Sequence, residues 1–209
     1  MIIDINKIIT QLANERKIFH SEADFQFSFS WKIKELYPKA NVRLEYINND
    51  LKNMHIDVLI ELNNYVIPIE LKYVTRAFIG QDKDEKFILK DHGAQDLRRY
   101  DFIRDIERLE YCKKKLQNFK EGYAIMITND KSYYQEYTRD KITICHDFRI
   151  HDGKTIEKRL SWRNKPSIGT IKGRERDINL SREYNLKWSR FSLLEEEEFK
   201  VLVVKVMRV

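Results

Sequence analysis

Cysteine is almost missing from this chain of 209 residues: only Cys112 and Cys145 occur, too few for a disulfide framework and not clustered as in a Cys-rich zinc motif. No apolar run approaches the roughly 20 residues that a membrane-spanning helix needs. The N-terminus, MIIDINKIITQL, lacks the basic start and small-residue cleavage site of a secretory leader. Internal repeats, low-complexity tracts and linkers are missing too. These absences exclude disulfide-stapled, membrane-embedded and repeat architectures. They leave a reduced, cytoplasmic protein with no membrane partner as the expectation.

With 42% hydrophobic and 34% charged residues, the chain is expected to fold as one domain over residues 1–209 with a sizeable core. Residues 2–18 read as a helix with Ile3, Ile8, Ile9 and Leu12 on its apolar side. A second helix is expected after Ser21 as N-cap, running to Leu36 or Tyr37 and stopped by Pro38. Val42 to Ile47 alternates like a strand, and residues 74–90 read as a charged connection. Asp91 is the expected cap of a long helix to about Phe119. Tyr123 to Thr128 is a short buried strand, residues 142–157 a hairpin turning at Asp152-Gly153, residues 158–190 irregular, and Phe199 to Met207 the last strand. This order predicts an α/β fold, helices flanking a mixed central sheet in the order αβββαβ, with a C-terminal β/loop elaboration.

The most informative stretch is His55 to Tyr73, HIDVLIELNNYVIPIELKY. Two apolar runs flank Asn63-Asn64, and Asn tolerates the positive φ of a two-residue hairpin turn. That turn places Leu62 opposite Tyr65, Asp57 opposite Glu70, and His55 opposite Lys72. Asp57 and Glu70 then form a non-hydrogen-bonded pair, whose side chains approach closely. Like charges in such a pair cost on the order of tenths to 1 kcal/mol. A divalent cation between them would remove that cost. In the second helix, Glu22 and Gln26 extend the stripe of Phe29, Ile33 and Leu36. In the long helix, Gln95 and Arg99 extend that of Phe102, Ile106 and Leu109. Polar groups on core-facing stripes need partners, and the two sets are expected to share one polar pocket.

These residues resemble the PD-(D/E)XK, or restriction-endonuclease-like, nuclease superfamily over about residues 20–128. The matching elements are Glu22 on an early helix, Asp57 in the second strand, Glu70-Leu71-Lys72 in the third, and the long helix after it. Acid-x-Lys occurs six times, starting at Glu15, Asp50, Glu70, Asp84, Asp152 and Glu198. Only the copy at Glu70 lies inside an apolar strand with an Asp facing it across a tight turn. Ile56 stands where the family name has Pro, and the long helix reads Gln95-x-x-x-Arg99-Tyr100 where the RecB-type branch has Gln-x-x-x-Tyr. The resemblance implies a Mg²⁺- or Mn²⁺-dependent phosphodiesterase, an endonuclease before an exonuclease, acting on DNA before RNA. Asp57, Glu70, the Leu71 carbonyl and Glu22 would hold metal. Lys72 would serve the attacking water and the charge on phosphorus, and Gln26, Gln95 and Arg99 would orient Lys72, water or phosphate. A ribonuclease, a non-cleaving nucleic-acid-binding relative and a non-catalytic interaction domain stay open, as does a homodimer.

From Lys154 to Arg190 there are eleven Lys or Arg and four Asp or Glu, an excess above the +6 of the whole chain. Lys158, Arg159, Arg163, Lys165, Lys172, Arg174 and Arg176 are the expected nucleic-acid contacts in this elaboration, about residues 140–209. The same segment holds Tyr184, Trp162 and Trp188, and the two Trp residues are expected to pack the loops down rather than to stack on bases.

Overall fold

Two side-chain caps start the chain in the computed structural model, which describes residues 3–48, 51, 54–138, 142–164, 166–167 and 169–208. Asp4 accepts a hydrogen bond from Lys7 N–H and opens α1 (Ile5–Glu15), which buries Ile5, Ile8, Ile9 and Leu12. Ser21 accepts from Asp24 N–H and opens α2 (Glu22–Leu36), which buries Phe25, Phe29 and Ile33 and ends before Pro38. Then come β1 (Asn41–Asn48), β2 (Met54–Leu62), β3 (Tyr65–Val74), β4 (Phe78–Asp82) and β5 (Glu85–Leu89). They lead into α3 (Gln95–Lys115), β6 (Glu121–Thr128) and the short α4 (Lys131–Tyr134). The remainder holds β7 (Thr155–Ile156), β8 (Arg159–Leu160), β9 (Ile178–Asn179), β10 (Tyr184–Asn185), β11 (Trp188–Leu194) and β12 (Glu197–Met207).

The central sheet has six strands in the order β1-β2-β3-β6-β12-β11. β3 and β6 run parallel, and the other neighbours are antiparallel. The sheet is therefore mixed, and α3 makes the crossover that a parallel pair requires. One face packs Val58, Ile60, Ile67, Ile69, Leu71 and Ile125 against α1 and α2. The other packs Leu59, Ala124, Met126 and Leu202 against Phe102, Ile106 and Leu109 of α3. β6 is buried along its whole length because it is covered on both faces. The fold is α/β with four α-helices among the described residues, none of them long and apolar enough to cross a membrane.

The Asn63-Asn64 turn forms as the sequence predicts, with φ of 52° and 64° at the two residues. The paired residues run from Leu62/Tyr65 to Val58/Ile69, the expected register. Pro68 sits in a pair that asks for no N–H toward β2. Several other expectations need correction. The first helix is shorter than residues 2–18, starting at the Asp4 cap. Residues 74–90 contain the β4–β5 hairpin instead of a bare connection. The long helix starts at Gln95 behind Ala94, which has a left-handed φ of 57° and offers no side-chain cap, so Asp91 caps nothing. Asp152-Gly153 does turn, but β7 pairs with distant β10, and residues 142–157 form no hairpin. The stretch 158–190 expected to be irregular holds β8, β9, β10 and the start of β11, which runs on to Leu194. A bulge between Arg190 and Ser192 puts Phe191 and Ser192 both among the buried residues and breaks the alternation that marks a strand.

Gly122 lets β6 close on both its neighbours. A Cβ there would stand 3.1 Å from Leu109 Cδ2 and 3.3 Å from the Pro68 carbonyl oxygen. Gly122→Val therefore forces α3 or β3 outward, and stability should fall by about 1–3 kcal/mol. Urea denaturation measures this, and a midpoint equal to the parent's would contradict it.

Candidate active site

β2 and β3 part company after Val58/Ile69. Beyond that pair β2 follows β1, with Ile56 opposite Tyr46 and His55 opposite Ile47, so the ladder ends before both expected pairs: Asp57 is not paired with Glu70, and His55 does not face Lys72. Ile56 joins the α3-side core, whereas Val58 and Ile60 pack on the α2 side. The strand has turned over at Asp57. Facing it on β1, Glu45 adopts a φ of 49°, the local distortion that accompanies the turn. Gln26 of α2 holds the diverging strand, its Nε2 donating to the Asp57 carbonyl at 2.7 Å and to Glu45 Oε1 at 2.7 Å.

The divergence opens a fork beside β3 and leaves two of its amides without a strand partner. Leu71 N–H donates to Asp57 Oδ2 at 2.6 Å, and Tyr73 N–H donates to Glu22 Oε2 at 2.8 Å. Two carboxylates thus stand where strand carbonyls would be. Glu70 and Lys72 project from β3 toward α3, which answers with Asp105 and Arg108. Lys72 Nζ lies 2.9 Å from Asp105 Oδ2 and donates to the Leu71 carbonyl at 3.1 Å. Arg108 reaches three ways, to Asp105 Oδ1 at 3.1 Å, to Glu70 Oε1 at 3.2 Å, and to the His55 carbonyl. Glu70 is only 1% exposed, and among the described residues neither of its carboxylate oxygens accepts a hydrogen bond, since Arg108 is close but not aligned for one.

The charges at this fork do not balance. Counted as ionised groups among the described residues, Glu22, Asp57, Glu70 and Asp105 outnumber Lys72 and Arg108 by two. Desolvation raises the pKa of Glu22 and Asp57, although Lys72 opposes the shift in both. The Glu70 pKa is raised well above the ordinary range by burial, then by Asp105 and Asp57. The same carboxylates outweigh desolvation at Lys72 and at Arg108 and hold both firmly protonated.

The fork opens into a cleft of about 730 Å³ lined by Met54, His55, Lys72, Arg104, Asp105 and Arg108, with Arg174 and Arg176 of the elaboration opposite. Arg174 is clamped bidentately on Asp101, both contacts at 2.7 Å, and Arg176 pairs with Glu107. Among the described residues, Arg104 has no carboxylate at ion-pair distance. Of the other basic residues expected to contact nucleic acid, Lys158, Arg159 and Arg163 pair with Glu157, Asp177 and Asp147 away from the cleft. Lys172 is exposed next to Gly173 at its rim, and Lys165 lies outside the described residues. Trp162 and Trp188 donate their indole N–H groups to the Arg174 and Ile150 carbonyls, and Tyr184 donates to Glu110, so these rings hold the elaboration together.

The structure therefore gathers Asp57, Glu70, Lys72, Glu22, Gln26 and the Leu71 backbone at one fork. It does not bring Gln95 and Arg99 there. α2 and α3 pack on opposite faces of the sheet, and the first turns of α3 reach the far end of β6, where Gln95 donates to Asp130 and Arg99 to Ser132. The single shared pocket expected from the two stripes is two pockets. Asp105 and Arg108 are the site residues that sequence reasoning missed. Their only signal is an i, i+3 opposite-charge pair flanking the Ile106/Leu109 stripe, in a helix charged at many positions.

Carboxylates whose pKa is higher folded than unfolded bind extra protons in the native state across that interval, so stability falls as pH rises through it. In chelator-treated protein, the parent should lose stability between pH 5 and pH 8, and Glu70→Gln should show a shallower loss. Denaturation midpoints at the two pH values measure this, and equal slopes would contradict it. Compared with known proteins, the chain matches no family model, no curated sequence and no solved structure.

Proposed function

We propose that the protein is a metal-dependent nuclease that hydrolyses phosphodiester bonds, in DNA before RNA, on a restriction-endonuclease-like core. One observation carries this reading: a buried fork where four carboxyl groups meet two cations, at the floor of an arginine-lined cleft. Among the described residues, no group of three or more His, Cys, Asp or Glu is arranged as a ready metal site. The donor chemistry nevertheless fits Mg²⁺ or Mn²⁺, because Glu70 keeps both carboxylate oxygens without a hydrogen bond. Mg²⁺ is commonly held by one or two carboxylates, with water and phosphate completing its shell. Asp57 and Glu70 are the residues that would hold it, with the Leu71 carbonyl and Glu22 as further oxygen donors at the fork. When bound, such an ion polarises a phosphoryl oxygen and acidifies a water.

The side chains divide the remaining work. Lys72 is held protonated, so it acts as a donor and a fixed positive charge beside the attacked phosphorus, not as a base. Glu22, at the mouth of the fork with a raised pKa, is suited to accept a proton from the attacking water. Gln26 fixes the strand that carries Asp57 and acts through it as a positioning residue. Arg108 ties β2, Glu70 and α3 together, and Arg104 offers its guanidinium to a phosphate in the cleft.

A second reading, a nucleic-acid-binding relative that does not cut, draws on the Lys72–Asp105 and Arg108–Glu70 pairs, which neutralise part of the fork from within. One assay separates the two. Supercoiled, linear and single-stranded DNA and RNA are incubated with the protein in Mg²⁺, Mn²⁺ or EDTA. At least one substrate should be cut only with a divalent ion, and Asp57→Ala and Lys72→Ala should each lower the rate by about 100-fold or more. Metal-dependent cleavage absent on every substrate, or both variants cutting like the parent, would overturn the nuclease reading. Salt-sensitive binding without cleavage would favour the second.

A further inference from the structure

At the other end of α3 the chain buries positive charge that the fork does not use. Arg99 is 4% exposed, its guanidinium lying over the Tyr133 ring with 5.0 Å to the centroid. It donates to the Ser132 carbonyl at 2.7 Å and to Ser132 Oγ at 3.2 Å, while its buried Nε finds no acceptor. Beside it, Arg149 donates to Thr143 Oγ1 at 3.1 Å and also keeps a buried Nε without an acceptor. Among the described residues, Lys154 donates only to the His146 and Asp147 carbonyls, at 3.0 and 3.4 Å. Among the described residues, none of the three has a carboxylate at ion-pair distance. They repel one another: burial, reinforced by Arg149 and Arg99, pulls the Lys154 pKa down to about 8 despite Asp147. Burial and Arg149 likewise lower that of Arg99. Buried cations without a counter-ion are costly, and a bound anion is the usual remedy.

The space for one is present. Arg99 and Cys145 form part of the lining of a pocket of about 710 Å³ at the end of β6, with Arg76, Lys131, Gln95 and Ser132 around it. The first turn of the 21-residue α3 also borders it. That helix has no side-chain cap, so the amides of Gln95 and Asp96 are available at its positive end. Two carboxylates line the pocket as well, and both are engaged locally. Asp130 accepts from Ser132 N–H and Gln95 Nε2, and Asp96 accepts from Leu97 N–H.

We propose that this pocket is a phosphate-binding site, with Arg99 as its buried anchor, Arg76 and Lys131 as its exposed arms, and Arg149 and Lys154 supplying charge from behind. It is independent of the nuclease reading, since none of these residues lies at the fork. A nucleic-acid strand end and a small phosphate compound present the same phosphate chemistry to this site, and the two arms of the test below separate them. Arg76 and Lys131 are exposed, so their replacement leaves the fold intact where that of buried Arg99 would disturb packing.

Calorimetric titration of the full-length chain with inorganic phosphate tests the site. The parent should bind, Arg76→Ala and Lys131→Ala should each weaken binding about tenfold, and Arg99→Gln should abolish it. In a parallel arm, an oligonucleotide carrying a 5′-phosphate competes against the same sequence with a 5′-hydroxyl. A preference for the phosphorylated strand that disappears in Arg76→Ala supports the site and assigns its phosphate to a strand end. Phosphate binding without that preference supports it and assigns the phosphate to a small compound. No binding of inorganic phosphate at tens of millimolar, or equal binding by the parent, Arg76→Ala and Lys131→Ala, overturns the proposal. Asp57→Ala should bind phosphate as the parent does even if no nucleic acid is ever cut.

Discussion

The parting of β2 from β3 is the constraint on which the site depends. An antiparallel ladder that stops in mid-sheet strands amides that a buried structure must satisfy, at a cost of about 1–3 kcal/mol for each one left unpaired. Here the Leu71 and Tyr73 amides are taken by the carboxylates of Asp57 and Glu22. Once acids replace backbone carbonyls, negative charge is fixed at the end of the sheet, and neighbouring residues must answer it. Lys72 and Arg108 do so in part. The remaining deficit makes the fork a candidate for a divalent cation, so one backbone divergence links the topology of the sheet to the chemistry proposed for it.

The surrounding elements serve that divergence. Gln26 anchors the strand that leaves, through the Asp57 carbonyl and Glu45. α3 lies across the opposite face on the Phe102, Ile106 and Leu109 stripe, which fixes Asp105 and Arg108 over Glu70 and Lys72. The elaboration closes the cleft by clamping Arg174 onto Asp101 of the same helix and is itself held by indole N–H bonds to backbone carbonyls. Most of its basic side chains are neutralised locally by acids, so the large positive excess read from the segment translates into only a few cations at the cleft. Arg104, from the helix, is the one cationic wall residue there without a carboxylate partner among the described residues.

Local signals carried much of this arrangement in the sequence. Asn63-Asn64 set the hairpin register as far as Val58/Ile69 because both residues tolerate positive φ; the Asp57/Glu70 pair expected one step further does not form, and Asp57 meets β3 through the Leu71 amide instead. Ser21 and Pro38 bounded α2, and an unbroken apolar run marked β6. What was hidden depended on long-range contact. The β11 bulge erased strand periodicity, and the pairing of β7 with β10 joins residues with no local relation. Arg99 was legible as a polar residue on a buried stripe, but its position about one turn into the helix could not say which end of the sheet it would meet. Asp105 and Arg108 looked like ordinary members of a charged helix until their partners on β3 were seen.

The central claim is that the fork is a cation site whose carboxylates outnumber its own cations by two, and direct measurement of ion binding tests it without any substrate. Titrating Mn²⁺ into the chelator-stripped protein, with free ion followed by electron paramagnetic resonance, should show saturable binding of a single ion, and Glu70→Gln should abolish it. Saturable binding that is unchanged in Glu70→Gln, or no binding at millimolar Mn²⁺, would contradict the account.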